Sequence, residues 1–402
     1  MQDRVLMARQ PIYDRQIKVV AYELLFRQYS SEEAGVIDGD AATSELLVDA
    51  FTQWDIREIV GDTKAFVNFT KALISKPLPF DKRHLVIEVL EDVAIDQCLV
   101  DDLRRLSESG YTIALDDFVH SAKAKDILPF ADIVKLDVLE LSREEVKEHV
   151  KILAEYNVQL LAEKVETHEE YEFCKSLGFE LFQGYFLCKP ELISNKKIPA
   201  SKLTVLQLLH KLQNPEIDMQ ELEQIVSGDP VLSFKVLKLV NSAGYTKAAK
   251  IESMRQAISY LGLDRLRSLT ALLALSGLSD KPSALRDYSC IRARLCELIG
   301  QRITPHDASS YFSVGLLSML EAYFDKSLTE LLELLELHED IKVALMSGEG
   351  NYGSVLNIVA CLQEADFEKI NWDFLKTYNI TPDCLTAMSQ ESIRWYQELI
   401  AL

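Results

Sequence analysis

The sequence predicts an α/β domain closed into a barrel and followed by an all-α domain. Up to about residue 190, short apolar runs alternate with helical patterns, which implies a parallel sheet with helices between its strands. The stretch KPELISNKKIPASK, 189–202, then breaks the rhythm with two prolines and polar filler. Beyond it no strand-like alternation of comparable quality returns.

The runs read in order as IKVVAYELLF, KAFVNF, HLVIEVL, YTIALDD, DIVKLDV, VQLLAEKV and FELFQGYFL. Each is short and rich in Val, Ile, Leu, Phe or Tyr, as strands buried on both faces should be. Between them lie the helix-like segments ATSELLVDAFTQW, DQCLVDDLRRLSESG, SREEVKEHVKILAEY and THEEYEFCKSLG. Gly110 and Gly178 stand where helix C-caps belong. With about seven or eight strands in such units, closure into a barrel is the best solution. The domains are therefore placed at 1–195 and 196–402.

In the second domain, Asp229-Pro230 opens a helix, because Asp caps free N–H groups and Pro fits the first turn. Its apolar positions run through Val231, Phe234, Leu237 and Val240, and it stops by Gly244. Ser253 begins a further helix, SMRQAISYLG, and Leu263 to Leu278 forms another.

Composition narrows the function. A formal net charge of −20 argues against broad non-specific binding to nucleic acid or anionic lipid. An anionic small ligand would need metal ions or focused arginines to overcome that field. The seven cysteines are odd in number and contain no CxxC pair, so reduced thiols in a cytoplasmic protein are expected, not a disulfide framework or zinc site. The N-terminus has no signal-peptide apolar core. The most apolar stretch, LTALLALSGL, falls far short of the roughly 20 residues that cross a bilayer.

Chemistry-bearing residues recur where the apolar runs end. Glu23, Asn68, Glu88, Asp116, Asp117, Lys135, Asp137, Glu163 and Gln183 all fall within or at the ends of these runs. In a parallel barrel the C-terminal strand ends converge on the face that carries active sites. Singly, each acid would pass as a strand-end group facing water. As a set, six carboxylates at one mouth repel one another unless a cation neutralises them, and hard oxygen donors suit Mg²⁺, Mn²⁺ or Ca²⁺.

These residues also carry a resemblance. Glu23-Leu24-Leu25 with Arg27, Val67-Asn68, Glu88-Val89-Leu90-Glu91, Asp116-Asp117-Phe118, Lys135-Leu136-Asp137, Ala162-Glu163-Lys164-Val165-Glu166-Thr167 and Gln183-Gly184-Tyr185 resemble, in order, the motifs of EAL domains. Those are cyclic di-GMP phosphodiesterases built on a modified TIM-like (β/α)8 barrel, in which two Mg²⁺ or Mn²⁺ ions serve hydrolysis to linear pGpG. The resemblance implies that Glu23, Asn68, Glu88, Asp116 and Asp117 are metal ligands and that Glu163 is the general base. It further implies that Lys135 orients the water or phosphate, Gln183 supports the base, Arg27 and Asp137 contact the ligand, and Glu91 anchors the loop after Asp117.

Three positions depart from that pattern. Leu24 replaces Ala in the signature, adding volume without removing an oxygen. Phe118-Val119-His120-Ser121-Ala122-Lys123 replaces a glycine-rich loop, which removes easy access to φ > 0. Lys164 replaces a glycine beside the presumed base. Its ammonium either pairs with a mouth carboxylate and displaces a cation, or points into solvent and leaves Glu163 free. With Val119, His120 and Lys164 altered, weak or absent turnover is the expectation, and active hydrolysis the alternative.

The helical half, through GDPVLSFKVLKLVNSAGY, IESMRQAISYLGLDRLRSL and FSVGLLSMLEAYF, resembles the HDOD domain, an all-α relative of HD phosphohydrolases. Ser318 and Met319 stand where the hydrolases carry metal-binding His and Asp on one helix, so a second hydrolase is not expected. His306-Asp307 spells the dipeptide, but Asp307 reads as a helix-start residue. The combined resemblance implies cyclic di-GMP signalling, in motility or biofilm control, with protein partners reached through the HDOD domain and a homodimer compatible with it.

Overall fold

The computed structural model describes residues 4–29, 56–76, 78, 81–91, 93–116, 124–189, 200–213, 217–228, 230–241, 251, 253–276, 278, 281–335 and 337–400. They divide into two compact units: residues to 187 together with 363–365, and residues 188–362 with 366–402.

In the first unit eight strands close a barrel in sequence order. They are β1 (Arg4–Tyr13), β2 (Val19–Tyr29), β3 (Lys64–Phe69), β4 (Leu85–Val89), β5 (Thr112–Leu115), β6 (Ile133–Asp137), β7 (Gln159–Glu163) and β8 (Leu181–Gln183). The apolar runs mark β2 to β8. They do not mark β1, whose sequence RVLMARQPIY interrupts its apolar residues with Arg9, Gln10 and Pro11. This strand corrects the all-parallel expectation, because β1 pairs antiparallel with both β2 and β8. A tight turn joins β1 to β2, in which Asp14 accepts the N–H groups of Gln16 and Lys18. The pairings from β2 round to β8 are parallel.

The connecting helices have the local signals that fix their ends. Helix α1 (Ile56–Val60) and helix α2 (Lys71–Ile74) are short. Helix α3 (Gln97–Glu108) starts at Asp96, whose carboxylate accepts Leu99 N–H at 3.0 Å. Helices α4 (Arg143–Leu153) and α5 (His168–Ser176) each open with a reciprocal capping box, Ser142 with Glu145 and Thr167 with Glu170. Gly110 and Gly178, at φ +84° and +102°, follow α3 and α5 in the left-handed turn that ends a helix. The predicted helix over 42–54 lies outside the described residues.

The second unit is helical throughout its described residues. In chain order its longer helices are α6 (Ala200–Gln213), α7 (Met219–Ser227), α8 (Pro230–Val240), α9 (Met254–Leu261), α10 (Leu263–Ser276) and α11 (Ser283–Ile303). Then follow α12 (Ala308–Leu317), α13 (Leu320–Phe324), α14 (Leu328–Glu333), α15 (Glu339–Ser347), α16 (Gly350–Gln363), α17 (Trp372–Thr377) and α18 (Pro382–Ile400). Ser253 caps α9 as expected, accepting Gln256 N–H at 3.2 Å. Pro230 opens α8, while Asp229 and Gly244 lie outside the described residues. The apolar face of α8 is corrected: Leu232, Val236 and Val240 are buried, whereas Phe234 is 66% exposed. Helices α11 and α12 pack closely because Gly315 presents no side chain; a Cβ there would lie 2.8 Å from Ala293 Cα. No disulfide links the described cysteines. Among the described residues no helix is long and apolar enough to cross a membrane.

Candidate functional site

The barrel's period-two alternation builds the site. One layer of inward-facing residues fills the lumen: Ile12, Ala21, Phe66, Val86, Ala114, Ile133 and Leu161, with Leu181 packed against them. Two residues further along each parallel strand, on the same face, the chain places Glu23, Asn68, Glu88, Asp116, Lys135, Glu163 and Gln183. An apolar plug thus supports a polar layer at the C-terminal mouth. Sheet register sets Asn68 beside Glu88, while β6 and β7 are staggered, with Lys135 beside Leu161 and Asp137 beside Glu163.

At its centre is Lys135, 1% exposed. Its Nζ lies 2.6 Å from Glu88 Oε1, 2.6 Å from Glu163 Oε1, 2.8 Å from Asp116 Oδ1 and 3.6 Å from Glu23 Oε2. Four strands therefore deliver four carboxylates to one ammonium. Gln183, expected to support Glu163, is instead placed on Glu23: its Nε2 donates to Glu23 Oε2 at 2.6 Å, fixing the carboxylate that Lys135 holds least closely.

One ammonium cannot balance four carboxylates, three of them buried, and both burial and the excess negative charge favour protonation. Burial, with the neighbouring charge of Glu23, pushes the Glu88 carboxyl well above the usual range despite Lys135. Burial likewise raises Glu163 to about 8, with Asp116 and Glu23 adding to the rise and Lys135 opposing it. Burial alone would depress Lys135, but Glu23, Glu88, Glu163 and Asp116 together hold its ammonium well above the ordinary lysine range.

The donors suit a hard divalent cation. All are carboxylate or amide oxygens. Asn68 Oδ1 and Glu88 Oε2 are buried and accept no hydrogen bond among the described residues, which is costly unless something charged approaches them. With the ring drawn in around Lys135, no three acidic, His or Cys side chains among the described residues are grouped as a ready metal nest. Asp117, Val119 and His120, with the loop through Lys123, lie outside the described residues.

The remaining expected residues sit around this ring. Arg27 is half-buried on β2, four residues past Glu23 and on the same face. Glu91 is exposed just after β4. Asp137, 4% exposed, is not among the carboxylates on Lys135. Its Oδ1 accepts the N–H groups of Leu139 and Glu140, at 2.8 and 3.1 Å, and its Oδ2 pairs with Lys164. Of the two expectations for Lys164, the structure shows the pairing with a mouth carboxylate, made to Asp137 and not to any of the four acids around Lys135. The Lys164 side chain is half exposed yet tied to Asp137, while the ammonium inside the ring belongs to Lys135. Lys164 has φ +53°, the left-handed conformation in which the glycine of the resembled motif would be at ease. Gly184, after Gln183, is required: at φ +145°, a Cβ would lie 2.2 Å from Val165 O.

Two comparisons decide the family. Residues 58–190 match the EAL domain and residues 198–333 the HDOD domain. Cyclic di-GMP phosphodiesterase CdgJ of Vibrio cholerae serotype O1 is 33% identical over 401 residues, covering 98% of this chain and 92% of CdgJ. The chain belongs to the EAL–HDOD family. The uncharacterized protein YuxH of Bacillus subtilis strain 168 is also 33% identical, over 382 residues and 92% of each chain. Among solved structures, a calcium and cy-diGMP complex of Klebsiella pneumoniae BlrP1 is 21% identical, with a TM-score of 0.38 over 45% of this chain and 54% of that one.

The HDOD unit shows how the Ser318-Met319 position is used. The expected single helix SVGLLSMLEAYF breaks there: α12 ends at Leu317, Ser318 is its C-cap, and α13 begins at Leu320. Ser318 Oγ donates to Gly315 O at 2.8 Å and accepts from Arg292 Nη1 at 3.4 Å, while Met319 is buried in the helical core. Asp307 does start α12, but its carboxylate accepts Ser310 Oγ and Tyr352 OH instead of backbone N–H groups. His210 and His338 are engaged by Leu334 O and by Asp340.

Proposed function

We propose that the EAL barrel is a metal-dependent phosphodiesterase that opens cyclic di-GMP to pGpG. The observation that carries this reading is the convergence of Glu23, Glu88, Asp116 and Glu163 from four strands on Lys135, with Lys164 held outside by Asp137. CdgJ, alike over nearly the whole chain, supports the substrate class.

In this reading Glu23, Asn68, Glu88 and Asp116, with Asp117, would hold Mg²⁺ or Mn²⁺. When bound, such ions lower the pKa of water and neutralise charge building on the phosphoryl oxygens. The protein's own groups do the rest. Glu163, raised to about 8, takes the proton of the attacking water as its oxygen bonds to phosphorus and the ribose oxygen departs. Lys135 holds Glu163 in place and presents positive charge towards the reacting phosphate. Gln183 fixes Glu23, and Arg27 contacts a ligand phosphate from the same face of β2.

A second reading rests on Lys164, whose left-handed backbone and bond to Asp137 alter the rim beside the base. There the barrel binds cyclic di-GMP with little or no cutting and acts through protein contacts of both domains in motility or biofilm control. Purified full-length protein, incubated with cyclic di-GMP and Mn²⁺ and assayed for pGpG by chromatography, separates the two. Metal-dependent product that disappears in Glu23→Ala supports hydrolysis. Saturable cyclic di-GMP binding without product in wild type supports the second reading and overturns the first, and product regained in Lys164→Gly would assign the loss to Lys164.

A further inference from the structure

Seven strands place a residue of the expected site in the polar layer; the eighth, β1, places Gln10. Because β1 runs antiparallel to β2, its step from the lumen residue Ile12 to the mouth goes backwards along the chain, to Gln10. Register sets Gln10 directly beside Glu23, and Ile12 beside Gln183. Gln10 is half-buried, and its Oε1 accepts Gln183 Nε2 at 2.8 Å. The same Nε2 donates to Glu23 Oε2 at 2.6 Å.

We propose that Gln10 is a positioning residue that locks the Gln183 amide in the one orientation that holds Glu23. This inference rests on the reading of Glu23 as a metal ligand. Both hydrogens of Gln183 Nε2 are used, one on each acceptor, while its Oε1 is buried and accepts nothing among the described residues. An amide with an unsatisfied buried oxygen gains by turning over unless both neighbours of its nitrogen are acceptors. Glu23 supplies one acceptor and Gln10 the other. With Glu23 Oε2 committed to Gln183, Glu23 Oε1 is left to meet a cation. Groups that orient a ligand in this way are commonly worth about 10–100-fold in metal affinity.

The test uses two near-isosteric variants of the full-length protein. Gln10→Met removes the acceptor; Gln10→Glu retains it. Mn²⁺ titration of EDTA-treated protein, followed by electron paramagnetic resonance, should show binding weakened about 10-fold in Gln10→Met and within about threefold of wild type in Gln10→Glu. The Gln183 side-chain ¹H–¹⁵N signals give a readout independent of metal. In wild type both amide protons should show hydrogen-bonded shifts, and in Gln10→Met one should move upfield while thermal unfolding stays cooperative. Unchanged amide signals in Gln10→Met overturn the proposal, as does equal loss of Mn²⁺ affinity in both variants. If wild type binds no Mn²⁺, the metal reading of Glu23 fails, and the amide signals alone decide the role of Gln10.

Discussion

Replacing Lys135 with Met tests the electrostatic account of the ring where it is most exposed to refutation. The substitution keeps the length of the side chain and removes a 1%-exposed ammonium that three carboxylate oxygens approach within 2.6–2.8 Å. Removing one partner of a buried ion pair costs about 3–5 kcal/mol, because the other charge is left uncompensated. At roughly 2–4 °C per kcal/mol for a unit of this size, the barrel's melting temperature should fall by about 10 °C at pH 8.5 in EDTA. The sign with pH follows from the carboxyls. Glu163 and Glu88 are raised above their unfolded values, so their protonated forms favour the folded state at low pH, and that stability is lost as pH rises through the folded value, about 8 for Glu163. Without Lys135 the protons bind more tightly still, so the penalty should shrink by roughly half at pH 6. Saturating Mn²⁺ should restore part of it at pH 8.5, by mass action on the folded state. Calorimetry of the full chain, with the barrel transition assigned by its response to Mn²⁺, reads all three effects. A variant as stable as wild type at pH 8.5 in EDTA, or a loss indifferent to both pH and Mn²⁺, would refute the reasoning.

The other predictions are simpler. Apparent Mn²⁺ affinity should rise from pH 6 to pH 8, by up to about tenfold per unit for each proton released, and level off above the Glu163 value of about 8; calorimetric titration across that range checks it, and a flat profile contradicts it. Lys164→Gly relieves a left-handed lysine worth about 1 kcal/mol. It also loses an ion pair, exposed on its lysine side, to an Asp137 that keeps two backbone N–H donors; that loss costs about 1 kcal/mol, so denaturant midpoints should nearly coincide. Its turnover should stay within about threefold of wild type, since Lys135 and not Lys164 occupies the ring; a rise of a hundredfold would place the Lys164 ammonium among the metal ligands. Gly184→Ala meets Val165 O at 2.2 Å in a backbone conformation that alanine avoids, and should lower stability by at least about 2 kcal/mol in urea unfolding.

Most of this architecture is legible in the chain because buried parallel strands must be apolar on both faces and polar only where they emerge. The runs that carry Asn68, Glu88, Asp116, Lys135 and Glu163 towards their C-terminal ends follow that rule, so the strands and the ring are readable together. Strand β1 was not, since Arg9, Gln10 and Pro11 interrupt its apolar residues and its inward face is counted in the opposite direction. Gln10 went unseen with it, although Ile12 two residues away was the available signal. The partner of Lys164 was also beyond reach, because it depends on a left-handed backbone and on Asp137 turning to cap its own loop, neither of which periodicity encodes. In the helical unit the resemblance implied one helix through Ser318-Met319, whereas the chain turns there. Phe234 fits the helical period of α8 and yet faces outward, since periodicity specifies a stripe without saying which neighbours cover it.

The central claim is that the polar layer gathered on Lys135 is a divalent-cation site. Anomalous scattering from crystals grown in saturating Mn²⁺ tests it most directly. The account predicts at least one ion within about 2.0–2.6 Å of Asn68 Oδ1 and a Glu88 carboxylate oxygen, with Lys135 Nζ withdrawn from Glu88. An ion-free ring, with Lys135 still bridging Glu88, Asp116 and Glu163, would contradict it.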